Sequence, residues 1–400
     1  MKGQIVKLGD LFQIGSSKRV LKSQWTAEGV PFYRGREVTR LAADGFVENE
    51  LFISEEHFTE LAEKSGVPQA GDIVITAIGT IGNAYIVRES DRFYFKDASV
   101  LWMKRTADIS SEFIHLWLQS PLFFDQLNKG NGATVDTLTI QKLQSLRLSV
   151  PPLPEQHRIV ALLDEAFSGI ANAKANAEKN LQNARALFES HLQSVFTERG
   201  EGWVEKRLDE LFRIGSSKRV LKSQWKSEGV PFYRGREVTK LAADGHVNNE
   251  LFISEEHYAE LSKQTGVPTV GDIVITAIGT IGNAHIVRDE DRFYFKDASV
   301  LWLKRTAEIS SEFTGFWLKS AQFFDQLDRG NGATVDTLTI QRLQSMKINV
   351  PSISVQQEVV SRLSALSAET QRLESHYQRK LAALDELKQS LLHQAFSGTL

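Results

Sequence analysis

The sequence predicts two near-identical mixed α/β (α+β) modules joined by two long antiparallel helices that pair as a coiled coil. Three observations carry this expectation. Residue n matches residue n+200 without an insertion: SSKRVLKSQW at 16–25 recurs at 216–225, PFYRGREVT at 31–39 recurs at 231–239, and NGATVDTLTIQ at 131–141 recurs at 331–341. Between 8–150 and 208–350, 34 of 143 positions differ and 109 are identical, the mark of a tandem duplication. The connectors 152–200 and 352–400 keep only 8 identities in 49 positions, yet each carries an apolar stripe at the three-and-four spacing of a helix face.

Within the first module, the β-branched runs 72–78, 84–87 and 100–103 read as strands, with Gly71, Gly79 and Gly82 marking turns between them. GTIG at 79–82 reads as a tight strand-to-strand turn. Segments 54–64 and 110–128 read as amphipathic helices, the second carrying Phe113, Leu116, Trp117, Phe123, Phe124 and Leu127. About 150 residues suffice for one core.

The connectors follow. Pro151, Pro152 and Pro154, and Pro351 in the second copy, end an extended segment and permit a helix start. The first stripe runs through Ile159, Leu163, Ala166, Ile170, Ala173, Ala177, Leu181, Ala184, Phe188, Leu192 and Val195. The second runs through Val359, Leu363, Leu366, Thr370, Leu373, Tyr377, Leu381, Leu384, Leu391 and Ala395. A helix of about 40 residues is roughly 60 Å long, and a long single-stripe helix needs a partner. The simplest partner is the other connector, running back along the first. The expected boundaries are 1–153, 154–200, 201–353 and 354–400.

Composition narrows the function. Of 400 residues, 42% are hydrophobic and 24% charged, with 27 Gly and 9 Pro, which excludes collagen-like and wholly disordered chains. With Cys at 0, neither a disulfide framework nor a thiolate metal site is available. No stretch approaches the roughly 18–20 apolar residues a bilayer crossing needs, and no signal-like apolar core follows the N-terminus, so a cytoplasmic protein is expected. Forty-seven basic against 50 acidic residues leave a net charge of −3, so any nucleic-acid binding must come from a local patch.

No catalytic pattern emerges. VPPLPEQ at 150–156 lacks the acid or amide before Pro-Pro and the ring after it that a methyltransferase motif requires, GNG at 130–132 is only GxG, and no P-loop is present. The nine histidines form neither HxH nor HxxxH, so neither a metal nor a cofactor is expected in this chain.

What recurs is a donor-rich loop. Ser16, Ser17, Lys18, Arg19, Lys22, Ser23, Gln24 and Trp25 are followed by Tyr33-Arg34-Gly35-Arg36, and the turn 76–83 adds hydroxyls and backbone amides. Arg forks suit guanine edges, Gln suits adenine, and Ser, Thr and Lys suit phosphates. The candidate DNA contacts are Ser17, Lys18, Arg19, Lys22, Gln24, Arg34, Arg36, Thr80 and Lys96, with Ser217, Lys218, Arg219, Lys222, Gln224, Arg234, Arg236, Thr280 and Lys296. The plain alternative is a solvated surface with a few ion pairs. Identical donor sets at two ends of a rigid spacer are what reading an inverted repeat requires.

Three stretches carry a family resemblance: GDIVITAIGTIGNAYIV (71–87, again 271–287 with His285 for Tyr85), GNGATVDTLTIQKLQSLRLSVPPLPEQHRIV (130–160) and LKQSLLHQAFSGTL (387–400). In domain–helix–domain–helix order, over the whole chain, they resemble the specificity subunit of bacterial and archaeal Type I restriction–modification systems. The resemblance implies two target-recognition domains, each reading one half of a bipartite DNA site, on two antiparallel helices that dock two methyltransferase subunits. It implies no catalysis here, S-adenosylmethionine on the methyltransferase, and ATP and Mg on a restriction–translocase partner. Leu163, Ile170, Leu181, Phe188, Leu363, Leu373, Leu384 and Leu391 are the expected partner-docking residues. One departure is VPSISVQQEVV at 350–360, which lacks the Pro-Leu-Pro-Glu-Gln of 152–156. The rival readings are a duplicated coiled-coil scaffold that binds protein, and an enzyme using the recurring Asp97 and Asp297.

Overall fold

A computed structural model describes residues 3–128, 137–198, 200–328 and 337–400. The GNGATVD runs at 130–136 and 330–336 lie outside the described residues. The chain divides into two compact units, 1–178 with 379–400, and 179–378. Each unit holds one module, the half-helix that leaves or enters it, and half of the other long helix.

The first module opens with β1 (Gln4–Lys7), α1 (Leu8–Leu11), β2 (Phe12–Gly15), β3 (Trp25–Thr26), β4 (Val30–Tyr33) and α2 (Gly35–Asp44). It continues with β5 (Phe52–Ile53), α3 (Glu55–Ser65), β6 (Ile73–Thr76), β7 (Ala84–Ile86), β8 (Tyr94–Phe95) and β9 (Val100–Arg105). It closes with α4 (Ser111–Leu118), α5 (Pro121–Asn128), α6 (Ile140–Ser145) and β10 (Arg147–Val150). Strands β2-β9-β6-β7 form an antiparallel sheet, and a smaller sheet runs β3-β5-β4-β8, its β4–β8 pair parallel. β1 pairs with β10 and closes the module. The second module repeats this order at +200, with an isolated bridge between Lys226 and Phe252 in place of β3.

The period-two rule explains the two-sided core. On β6, Ile73 and Ile75 face a cluster with Phe113, Trp117, Phe123 and Leu143, while Val74 faces Val38 and Leu41 of α2 together with Phe95. All four residues of β6 are buried, as a central strand covered on both faces must be. Buried Asp72 anchors the entry to β6 by accepting from Gln69 N, Trp102 Nε1 and Arg105 N at 2.8–2.9 Å.

One expectation needs correcting. The helix expected over 110–128 is two helices, broken between Leu118 and Pro121. Proline is not the cause, because the break persists in the second module, where Ala321 stands in its place. Instead, buried Ser120 and Ser320 each donate to the Trp carbonyl three residues back at 2.7 Å, ending the first helix in its socket. The 79–82 turn is found as expected, between β6 and β7, with Gly79 at φ +80° and Gly82 at φ +94°. A Cβ on Gly82 would approach Phe123 and Phe124 at 3.3 Å, so at this positive φ a side chain would be both strained and tightly packed.

Both connectors are helices of 45 residues, Leu153–Thr197 and Ile353–Ser397, each about 67 Å long at 1.5 Å per residue. No residue of the predicted stripes is exposed. In the first unit the two run antiparallel: Lys388 lies 4.9 Å over the Phe167 ring and Lys174 Nζ meets Asp385 at 2.7 Å. In the second unit Arg185 pairs with Glu374 at 2.8 Å. Among the described residues no helix is long and apolar enough to cross a membrane.

Candidate nucleic-acid interface

The 16–24 loop follows β2 and is stitched onto the segment that runs from β8 into β9. Ser17 Oγ donates to the Phe95 carbonyl at 2.6 Å, Lys18 N donates to Tyr94 Oη at 2.9 Å, and Ala98 N donates to Ser16 Oγ at 3.1 Å. The second module repeats these bonds at 2.7, 2.9 and 3.2 Å through Ser217, Lys218 and Ala298. The Ser17 and Ser217 hydroxyls are therefore spent on docking the loop. What the docking achieves is to hold Lys18 and Arg19 outward on a fixed backbone, beside exposed Lys96, whose amide donates to the Tyr33 carbonyl at 2.7 Å. Lys296 does the same with Tyr233 at 2.8 Å.

Among the described residues, the side chains of Lys18, Arg19, Lys22 and Lys96, and of Arg219, Lys222 and Lys296, are exposed and have no acidic partner. Lys218 Nζ meets only the Gln264 amide oxygen. Lys22 and Gln24 sit on a 3-10 turn, Lys22–Gln24, that leads into the small sheet. There Gln24 Oε1 accepts from Leu21 N at 2.7 Å, and Gln224 does so from Leu221 N at 2.8 Å. Their amide oxygens cap a turn and are not free for an adenine.

Arg34 and Arg36 open α2. Arg34 is its N-cap, with extended backbone, and Glu37 closes a capping box by accepting from Arg34 N at 2.9 Å. Glu37 also takes the Arg34 fork, Nε at 3.1 Å and Nη2 at 2.9 Å, and the Nε of Arg36, whose Nη2 reaches on to Glu50. Burial alone would raise the Glu37 carboxyl, but the bonds from Arg34 and Arg36 outweigh it and hold the group below the usual glutamate range. Arg234, Arg236, Glu237 and Glu250 repeat the network.

Three turns meet at this helix start. A Cβ on Gly35 would lie 3.7 Å from the Ser99 carbonyl oxygen and 3.9 Å from that of Ile78. Ala77 N donates to the Ser99 carbonyl at 2.9 Å, and Asn83 Nδ2 ties the 76–83 turn to Thr39 of α2 at 3.2 Å. Thr80 and Thr280 are exposed at the turn tip, beside Ile78 and Ile278, each 46% exposed. Ala98 and Ala298 hold the left-handed region at φ 60° and 61°, a conformation that costs a residue with a Cβ roughly 1 kcal/mol and is kept in both modules.

Identity between the modules is complete on these segments, as it also is at 49–57 and 130–141. Residues 14–25, 28–39, 71–84 and 92–102 match their copies without exception, whereas differences gather in α3 (58, 59 and 62–65), at 85, 89 and 90, and around α4 and α5 (114–116, 119, 121 and 122). The hydrogen bonds above join these four segments, 14–25, 28–39, 71–84 and 92–102, around the 95–100 turn. Sequence inspection missed Glu37, Ala98 and Asn83; the Arg-Gly-Arg-Glu capping spacing was the available signal for the first, and φ sign and turn closure are invisible in composition.

The eight helix residues have different surroundings from a free surface. Leu163 and Leu363 are fully buried in the module cores, Ile170 is 7% exposed, and Leu181, Phe188, Leu373, Leu384 and Leu391 are half-buried along the helix seam. They hold the helices to each other and to the modules. Among the 8 identities the connectors keep, Gln156, Leu163, Leu192 and Phe196 are buried, as are their copies. Leu187 and Leu387 are instead 61% and 46% exposed. Among the described residues no group of three or more His, Asp or Glu side chains is placed to hold a metal ion.

Comparison with known proteins agrees with this architecture. The chain is 26% identical over 315 residues to the Type I restriction enzyme EcoBI specificity subunit of Escherichia coli, covering 70% of this chain and 64% of that protein. It is 30% identical over 171 residues to a Haemophilus influenzae reading frame assigned as a type I restriction enzyme specificity subunit, covering 42% of this chain and 41% of that protein. The matched part thus spans less than two thirds of either relative. The HsdS subunit of Thermoanaerobacter tengcongensis shares the fold at a TM-score of 0.64 and 17% identity, over 99% of this chain and 97% of that one. A chain from a study of complex assembly and conformational transition of the type I R-M system reaches 0.81 at 18% identity, over 100% and 98%. The model of the Type I restriction modification DNA specificity domain matches twice, at 2–181 and 200–383, so the chain belongs to that family and carries two copies of its domain.

Proposed function

We propose that this chain is the non-catalytic DNA-recognition subunit of a cytoplasmic Type I restriction–modification enzyme, in which each module reads one half of a bipartite target. The observation that carries the reading is the coincidence of three properties on one face of each module: unpaired cations, turns locked by hydrogen bonds, and complete identity between the copies. A purely structural face would accumulate exchanges as α3 and α4 have. With both modules presenting the same face, and the helices antiparallel within each unit, the target is an inverted repeat of one short word around an unread spacer. A helix of about 67 Å limits that spacer to under about two turns of DNA.

The chemistry of methylation and cleavage then belongs to partners: modification subunits that bind S-adenosylmethionine, and a restriction subunit that uses ATP and Mg. Leu187 and Leu387 support docking of two modification subunits, because an exposed leucine kept at the same place in both otherwise diverged helices offers one partner the same contact twice. Expression of the chain with its modification subunit in a methylation-free host, followed by methylome sequencing, tests the reading. A split, palindromic motif is expected. Methylation without a motif, or a motif with unrelated halves, would refute it. The scaffold alternative predicts no DNA retention in a gel shift at any salt concentration.

A further inference from the structure

We infer that Glu37 and Glu237 are positioning residues that hold Arg34 and Arg234 as pre-set forks for a base edge, and so fix which base is accepted at one position in each half of the target. This deepens the DNA-reading role and rests on it.

The geometry is unusual for an ordinary surface ion pair. The Glu37 side chain is only 4% exposed, while that of Arg34 is 27% exposed. Glu37 takes the Nε–Nη2 edge of Arg34, and a guanidinium is planar with five N–H groups. The Nη1–Nη2 edge, carrying the remaining three, is therefore turned away from the carboxylate with its direction already set. Two parallel N–H groups on that edge match the O6 and N7 acceptors of guanine in the major groove. Arg36 braces the same carboxylate from the other side and is itself held by Glu50, so the fork has two supports. The second module keeps every contact, with the Arg234 fork at 3.0 and 2.8 Å.

The charge arithmetic separates a base from a phosphate as the ligand of this fork. A phosphate needs only positive charge, and an adjacent carboxylate weakens such a contact. Two arginines sharing two glutamates are a poor anion site. Lys18, Arg19, Lys22 and Lys96 are left without acids and suit the backbone. Spending two carboxylates on Arg34 and Arg36 makes sense where direction matters more than field strength: the rotamer entropy of a long side chain is paid in folding rather than on binding.

The test uses the full chain expressed with its modification subunit, the methylated motif being read genome-wide for wild type, Glu37→Gln, Glu237→Gln and Arg34→Lys. Gln keeps the shape of Glu37 but loses the charge and half the acceptor capacity facing the fork. Lys keeps the charge at 34 but cannot make a planar fork, and it leaves the buried carboxylate paired. Glu37→Gln and Arg34→Lys are expected to relax the same single position of one half-site, lowering discrimination there by about 10- to 100-fold. Glu237→Gln is expected to relax the symmetry-related position of the other half. Should Glu37→Gln reduce the amount of folded complex, Arg34→Lys carries the test alone. An unchanged motif in all variants, whether methylation falls or persists, would overturn the inference. So would a lowered salt dependence on every sequence, which would make Arg34 a phosphate ligand. A wild-type chain that directs no motif removes the DNA-reading role itself, and this inference with it.

Discussion

Removing one unpaired cation from each module should change how steeply DNA affinity falls with salt. Lys18, Arg19, Lys22 and Lys96, with Lys218, Arg219, Lys222 and Lys296, give eight exposed cations free of acidic partners among the described residues. If each neutralises one phosphate, log K falls with log salt at about −0.9 per contact, a slope near −7 for this chain. Affinity then drops on the order of ten-thousand-fold between 50 and 200 mM salt. The pair Lys18→Ala with Lys218→Ala removes two contacts and should make the slope shallower by about 1.8, equally on the target and on a scrambled duplex. Titrating fluorescent duplexes with the complex of chain and modification subunit across that salt range measures both slopes. Contacts made by the partner cancel in the difference. A slope change below about half a unit would mean that these lysines do not touch phosphate. A change confined to the target duplex would mean that they read bases.

Three further outcomes follow from the helices and from buried His285. Ala177→Pro, at a 1% exposed position inside the central helix, removes an i→i−4 bond and should cost about 3 kcal/mol, seen as lower helicity by circular dichroism and loss of modification-subunit binding; binding that survives would remove the rod from the assembly argument. Leu187→Asp and Leu387→Asp should each weaken capture of the modification subunit without moving the thermal midpoint, whereas a lowered midpoint would mark these leucines as structural. His285, buried in the second unit, donates to Asp291 at 2.6 Å beside Arg288 and Glu290; burial holds its pKa below the ordinary histidine range despite that carboxylate. The unfolded chain then takes up a proton first, so stability is full above about pH 6.5 and declines as pH falls below it. His285→Tyr, the residue the first module uses to bond Asp91 at 2.7 Å, should flatten that decline between pH 6.5 and 5 in thermal melts.

The parts of the fold that follow a period were readable in advance, and those set by sockets were not. The stripes from Ile159 to Val195 and Val359 to Ala395 repeat every three or four residues because one face of each helix is covered, and the burial follows them. The central strand β6 likewise announced itself by its continuous β-branched run. Strands β3, β5 and β8 have two residues each, too few for any period, and the parallel pairing of Phe32 with Tyr94 joins positions 62 apart. The break after Leu118 is decided by where Ser120 is seated, which no local propensity encodes. At the candidate interface, residue type pointed to these loops but did not show how the individual side chains are engaged. Ser17 and Gln24 look like readers, but the Ser17 hydroxyl is engaged by the distant Phe95 carbonyl, which docks the loop, and the Gln24 oxygen caps Leu21 N in its own turn. Arg34 looks like a free fork and is half occupied by Glu37.

The near-neutral composition is reconciled with a local cationic patch by where the acids sit. Glu55 neutralises Arg92, Glu155 neutralises Arg158, and Glu60 faces Lys64. Two of these pairs involve α3, which the two modules have let diverge. Beside the invariant loops, Glu37 and Glu50 are engaged by arginines, and among the described residues Glu28 and Asp97 form no ion pair with the lysines. A net charge of −3 therefore coexists with two small cationic loops, and the long-range field that steers DNA towards strongly basic proteins is weak here. On the proposed reading, the phosphate contacts act on any duplex, and the right text adds the base contacts that only it completes. For the site-choosing role proposed above, a weak long-range field combined with pre-set forks raises the ratio of specific to non-specific binding, and that ratio rather than affinity governs which sites are occupied in a genome.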